Sequence, residues 1–104
     1  MAFTGSEDHD ISLEEAAALT AKYRDESPED SILGHFFGKE TISAILAQEY
    51  CVGIRIYYGL DVEGNKKLVI SGVKANEDDQ YDEKLAQHST TSPPHTGCSN
   101  PLNN

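Results

Sequence analysis

Residues Cys51–Val73, CVGIRIYYGLDVEGNKKLVISGV, decide what kind of domain this chain can form. Side chains alternate with period two on either side of DVEGN, the signature of two strands joined by a turn. On the first strand Val52, Ile54, Ile56 and Tyr58 share one side, and Cys51, Gly53, Arg55, Tyr57 and Gly59 share the other. A loop on Glu63-Gly64, or one from Val62 to Asn65 in the same register, sets Tyr58 opposite Val69, Ile56 opposite Ser71 and Ile54 opposite Val73. That side is the expected core, because a hairpin buries one face and a slip of one residue would turn it outward. A three-residue loop, which would shift the register by one and put Lys74 opposite Ile54, is disfavoured for the same reason.

The same register places Arg55 opposite Gly72, Tyr57 opposite Ile70 and Gly59 opposite Leu68 on the reverse face. A solvated face would read as Lys, Glu, Thr and Ser. This one is apolar with a single guanidinium, and its glycines leave room for close approach. Arg55, Tyr57, Leu68 and Ile70 are therefore the candidate binding residues, since Arg and Tyr are favoured interface residues. The alternative is a cover from the same chain, either the first helix or the N-terminal arm.

Two strands alone are marginal in water and need a helix layer. Ser12 and Glu15 form a capping box, and Leu13, Ala16, Ala17, Leu19, Thr20 and Tyr23 fall on one arc, predicting a helix from about 13 to 24. Ser27-Pro28-Glu29-Asp30 is a second start signal that Gly34 limits to a turn or two. A further helix, from about 39 to 49, has Ile42, Ile45 and Leu46 as its inner face. With Gly38 as N-cap, Phe37 and Ile42 form a hydrophobic staple. The fold class is a small α+β domain, with two or three helices on an antiparallel hairpin or a three-stranded sheet. A short strand from His35 to Phe37 is its candidate third member. Residues 1–10 read as a flexible arm, 11–76 as the domain, and 77–104 as an acidic and then Ser/Thr/Pro-rich disordered tail.

Eighteen acidic against eight basic side chains give a formal charge of −10. Nucleic-acid phosphates and anionic membranes both need clustered Lys and Arg, so neither is an expected partner. No apolar run approaches a membrane span, and MAFTGSEDHD lacks the basic start and apolar stretch of a secretion signal. A cytoplasmic protein with reduced Cys51 and Cys98 is expected.

The patterns for catalysis are weak. His35, Phe36, Lys39 and Glu40 lead into a helix start that could hold an anion, but a lone Gly-Lys is far from phosphate-loop spacing. His88, His95 and Cys98 offer three metal ligands without the paired spacing of a zinc site. Cys51 opens a strand as a small hydrophobe, and Glu77-Asp78-Asp79 reads as a solvating run. No cofactor or metal is expected. GIRIYYG and its following hairpin resemble short uncharacterised bacterial proteins, which implies a bacterial source and no mechanism. The resulting expectation is a non-catalytic acidic interaction or accessory protein whose partner is another protein or a second copy, as a homodimer through the Arg55/Tyr57 face. Two alternatives stand beside it: a precursor whose Ser89–Ser99 segment is enzymatically modified, and a small enzyme of unassigned chemistry.

Overall fold

Asp61 sets the hairpin. Its carboxylate accepts the N–H groups of Glu63 and Asn65, each at 2.9 Å, and Gly64 takes a positive φ of 83°. The product is a three-residue loop, Val62 to Gly64, closed by the Asp61 N–H on the Asn65 carbonyl at 3.1 Å. These bonds to the ionised carboxylate, the Asn65 N–H above all, hold Asp61 below its ordinary pKa. Strand β2 (Cys51–Leu60) consequently pairs with β3 (Lys66–Lys74) one residue away from the expected register. Ile54 faces Gly72, Arg55 faces Ser71, Ile56 faces Ile70, Tyr57 faces Val69 and Tyr58 faces Leu68.

The computed structural model describes residues 2–104. Among them lie two helices and two antiparallel sheets, a small α+β protein, in the order α1 (Leu13–Glu26), β1 (Gly34–Phe36), α2 (Lys39–Leu46), β2, β3, β4 (Leu85–Ala86) and β5 (Thr90–Ser92). The chain divides into two compact units.

The first unit comprises residues up to 7 and 37–89. Its sheet has the order β2-β3-β4, so β3 is central and β2 is an edge. Burial follows that order: Ile70, Ser71, Gly72 and Val73 on β3 are buried, whereas Ile56 is 49% and Tyr58 93% exposed. The Val52-Ile54-Ile56-Tyr58 row is thus no core: Ile45 of α2 packs on Ile70 and Ala86, and Ile54, Ile56 and Tyr58 stay exposed. The core joins Ile45 of α2 with Ile70 and Ala86, flanked by Phe37 and Ile42. Gly38 is the α2 N-cap, as the staple requires. Leu46, expected inside, points outward, since α2 stops there and the chain turns toward β2.

A polar set closes this core. Gln80, 3% exposed, donates from Nε2 to the Glu49 carbonyl at 2.8 Å. Gln48 donates to the Ile45 carbonyl at 3.0 Å, and its Oε1 accepts the Lys84 N–H at 2.8 Å. Gly72 makes the room: a Cβ there would overlap Gln80 Oε1 and come within 3.0 Å of Cys51 Sγ and Gln48 Nε2. Gly72→Ala should therefore cost about 2 kcal/mol by crowding a buried, hydrogen-bonded amide. Urea denaturation checks this; a change below about 0.5 kcal/mol would mean that the Gln80 amide relocates freely.

Residues 78–86, expected to be mobile, belong to this unit. Gln80 N–H reaches the Gly72 carbonyl and Lys74 N–H the Asp78 carbonyl, both at 2.9 Å, and β4 pairs Ala86 with Ile70. Composition misjudged them because backbone pairing with a central strand, rather than apolar side chains, holds them in place. The arm is likewise tied down: Phe3 N–H donates to the Ala75 carbonyl at 2.8 Å, and both Thr4 and Gly5 donate to Glu7. Met1 lies outside the described residues.

The second unit comprises residues 8–36 and 90–104. Ser12 caps α1 through the Glu15 N–H at 3.0 Å, as the capping box requires. The helix buries none of its residues, and Leu13 and Leu19 are well exposed. The segment after Pro28 is a turn, with the Ser31 N–H on the Pro28 carbonyl at 3.2 Å. Strand β1 pairs with β5 (His35 opposite Thr91) and not with the hairpin, so the third strand of the larger sheet is β4. Arg24 Nη1 donates to the Leu102 carbonyl at 2.7 Å, and Asn100 and Asn103 cap the final turns.

Candidate interaction surface

Arg55 and Tyr57 point to the side of the sheet that also carries Ser71 and Val73 of β3. The left-handed Glu77 (φ 78°) folds the chain back after β3, and Asn76 supports the turn by accepting the Asp78 N–H at 3.0 Å. Val73 then bridges to Asp79, and the Asp79 side chain reaches over this face.

Its carboxylate gathers three donors. Arg55 Nη1 bonds Oδ1 at 2.7 Å, Ser71 Oγ bonds the same oxygen at 3.2 Å, and the Tyr57 hydroxyl bonds Oδ2. Arg55 Nη1 also donates to the Glu77 carbonyl at 3.2 Å. The Phe3 ring lies 5.8 Å from the Arg55 guanidinium carbon, within cation–π range. The hydrogen bond from Tyr57 above all, then those from Arg55 and Ser71, hold Asp79 below its ordinary pKa.

This face is therefore partly covered by its own chain, by the arm at Phe3 and by the turn at Glu77–Asp79, with Tyr57 still 45% exposed. Arg55 and Tyr57 come together as expected. Leu68 and Ile70 do not join them, since the register turns both to the α2 side, where Ile70 is core. Asp79 was the residue missed, read as part of a solvating acidic run. The available signal was Arg55 itself: a lone cation on an otherwise apolar strand calls for a carboxylate, and the turn after β3 supplies the nearest ones.

What stays open is the β2 edge beyond Val52, whose carbonyl lies against Gly5 of the arm. The Asp61 N–H to Asn65 carbonyl bond fixes the phase of the ladder, so odd-numbered β2 residues bond to β3. The Gln80 bond to Gly72, the partner of Ile54, agrees with that phase from the other side of β3. Hence the N–H and C=O groups of Ile54, Ile56 and Tyr58 project from the free edge. Across its ten residues β2 carries one charge, Arg55, and no proline.

The other sequence candidates are dispersed. His35 lies in β1, whereas Lys39 opens α2. His88 belongs to one unit, and His95 and Cys98 to the other. Among the described residues no group of three or more His, Cys, Asp or Glu side chains is arranged to hold a metal ion. Cys51 Sγ donates to the Gly53 carbonyl at 3.2 Å. A shallow cleft of about 510 Å³, lined by Lys74, Asp78, Tyr81, Asp82 and Glu83 among others, is rich in carboxylates. No described helix is long and apolar enough to cross a membrane. No protein-family model, curated protein or solved structure matches the chain.

Proposed function

We propose that this chain is a non-catalytic interaction protein that binds by strand addition at the free edge of β2. The observation that carries the reading is that edge: an extended strand with unpaired backbone groups at Ile54, Ile56 and Tyr58, exposed aromatic and aliphatic side chains, and none of the Lys, Pro or short length that usually guards an edge. Strand addition draws affinity from main-chain hydrogen bonds and specificity from alternate side chains. The edge is favoured over the expected Arg55/Tyr57 contact face because Asp79 already accepts from both polar groups of that face.

The charge of −10 supports protein over nucleic acid as the partner class. Two free cysteines support the cytoplasm as the compartment. The modified-precursor alternative loses ground because Thr90, Thr91 and Ser92 are held in β5.

The test is photo-crosslinking in cells of the native source, with a benzophenone amino acid replacing Tyr58 and, separately, Leu19 of α1. The expected result is a discrete protein adduct from position 58 that disappears when Ile56→Pro is added, because that change removes an outward N–H. Absence of an adduct from 58, or the same adduct from both positions, would sink the reading.

A further inference from the structure

We infer that the strand added at this edge is β2 of a second copy, paired antiparallel about a two-fold axis between the two Ile56 residues. This inference rests on the edge reading above and names its occupant. The pairing would join the two three-stranded sheets into one continuous sheet.

The argument is one of self-complementarity. A two-fold axis perpendicular to the sheet keeps every side chain on its own face, so only residues of like parity can stand opposite each other. Two registers near the middle of the ten-residue strand keep most of it in overlap, although Gly5 of the arm lies against the Val52 carbonyl and takes that end of the edge. One centres on Arg55 and sets the two guanidinium groups against each other, a like-charge pair that destabilises a sheet. The other centres on Ile56. It sets Ile56 opposite its own copy, Ile54 opposite Tyr58, Arg55 opposite Tyr57 and Gly53 opposite Gly59.

Three of these are favourable cross-strand pairs: aliphatic on aliphatic, aromatic on β-branched and guanidinium on aromatic; the glycine pair only leaves room. GIRIYYG is in this sense its own partner.

The hydrogen-bond phase agrees. Ile54, Ile56 and Tyr58 are the residues whose N–H and C=O groups face outward, so Ile56 exchanges both bonds with its copy and Ile54 exchanges both with Tyr58. Arg55 and Tyr57 then form the closer, non-hydrogen-bonded pairs, with Asp79 of each copy still accepting from both. A single-strand interface is small, which places the dimer in the weak class, with Kd about 10–100 μM. Two copies of charge −10 repel, so the dimer should tighten as salt rises.

The test uses the full chain in sedimentation velocity from about 5 μM to about 1 mM, spanning the expected Kd. The expected result is growth from 11.4 kDa toward twice that mass, more readily at high salt. Tyr58→Pro should weaken association at least about 100-fold, as each copy loses a donor. Tyr58→Thr keeps that donor and should cost about 10-fold, from the lost ring. Filtered NOE spectra of mixed labelled and unlabelled protein should connect Ile54 methyls to the Tyr58 ring. Within one strand those residues lie about 13 Å apart, so only the dimer produces the contact.

A monomer throughout the range overturns the inference, as does a dimer without that NOE or one that Tyr58→Pro leaves intact. A monomer whose position 58 crosslinks to a different protein overturns the second-copy inference alone. A monomer with no adduct at all overturns the edge reading as well.

Discussion

Ile45→Ala should cost the protein about 3 kcal/mol, the middle of the range for emptying a buried aliphatic site. Ile45 is fully buried, and its neighbours Phe37, Ile42, Ile70 and Ala86 come from α2 and its N-terminal flank, β3 and β4. Few residues of that unit are fully buried, so a cavity at Ile45 has little surrounding core to close it. A domain of this size is expected near the lower end of the usual 5–15 kcal/mol, roughly 5 kcal/mol, which leaves the variant with about 2 kcal/mol. Leu46→Ala is the control: Leu46 is the next residue of the same helix but is 46% exposed, and its loss should be below about 1 kcal/mol. Urea midpoints of the two variants measure the difference. Equal losses would mean that α2 does not seat Ile45 against β3.

Asp79→Ala should be as damaging as Gly72→Ala, at about 2 kcal/mol. The carboxylate accepts from Arg55, Tyr57 and Ser71, and hydrogen bonds to a charged group are stronger than neutral ones. The side chain is 23% exposed, and solvent screening keeps the total below the sum of three such bonds. The substitution also leaves Arg55 with the Glu77 carbonyl and the Phe3 ring as its remaining contacts.

The same cluster sets a pH dependence whose sign is fixed. Asp79 is held below its unfolded pKa, first by Tyr57 and then by Arg55 and Ser71, so its contribution is complete above about pH 4 and is lost as pH falls below that value. Asp61 and Glu7 are lowered as well, so the wild-type protein should lose stability on acidification through all three. Asp79→Asn separates them. The stability gap between wild type and this variant should be constant from about pH 5 to 8 and shrink below about pH 4. A gap that does not shrink at all between about pH 5 and pH 2 would show that the carboxylate charge is not what holds the turn over Arg55.

Much of the local structure was legible in the sequence. Ser12 and Glu15 announce α1, Gly38 with Phe37 announces α2, and the alternation around DVEGN announces the hairpin, because each signal acts within a few residues of its effect. The register was also within reach: Asp61 and Gly64 are the acceptor and the positive-φ residue that a three-residue loop requires. Weighing only which face would be apolar gave the neighbouring register, and with it the wrong side for Leu68 and Ile70. The candidate site was half legible. Arg55 and Tyr57 do form a cluster, but the residue that organises it, Asp79, lies 24 positions from Arg55 in a run that composition reads as solvent-facing.

By itself, then, the sequence determined the elements: where helices begin, where the chain must turn, and that an acidic α+β chain carries one unusually uncharged strand. Tertiary structure decided which of those surfaces is spent and which is left over. Burial depends on a strand's place in its sheet, and no local pattern says that β3 lies in the middle and β2 at the edge. That order needs residues 78–86 to return and pair with β3, through backbone bonds that any sequence could make. Once they do, Asp79 takes up the Arg55 guanidinium and the Tyr57 hydroxyl, Ile70 goes to the core, and the edge of GIRIYYG is left without a neighbouring strand.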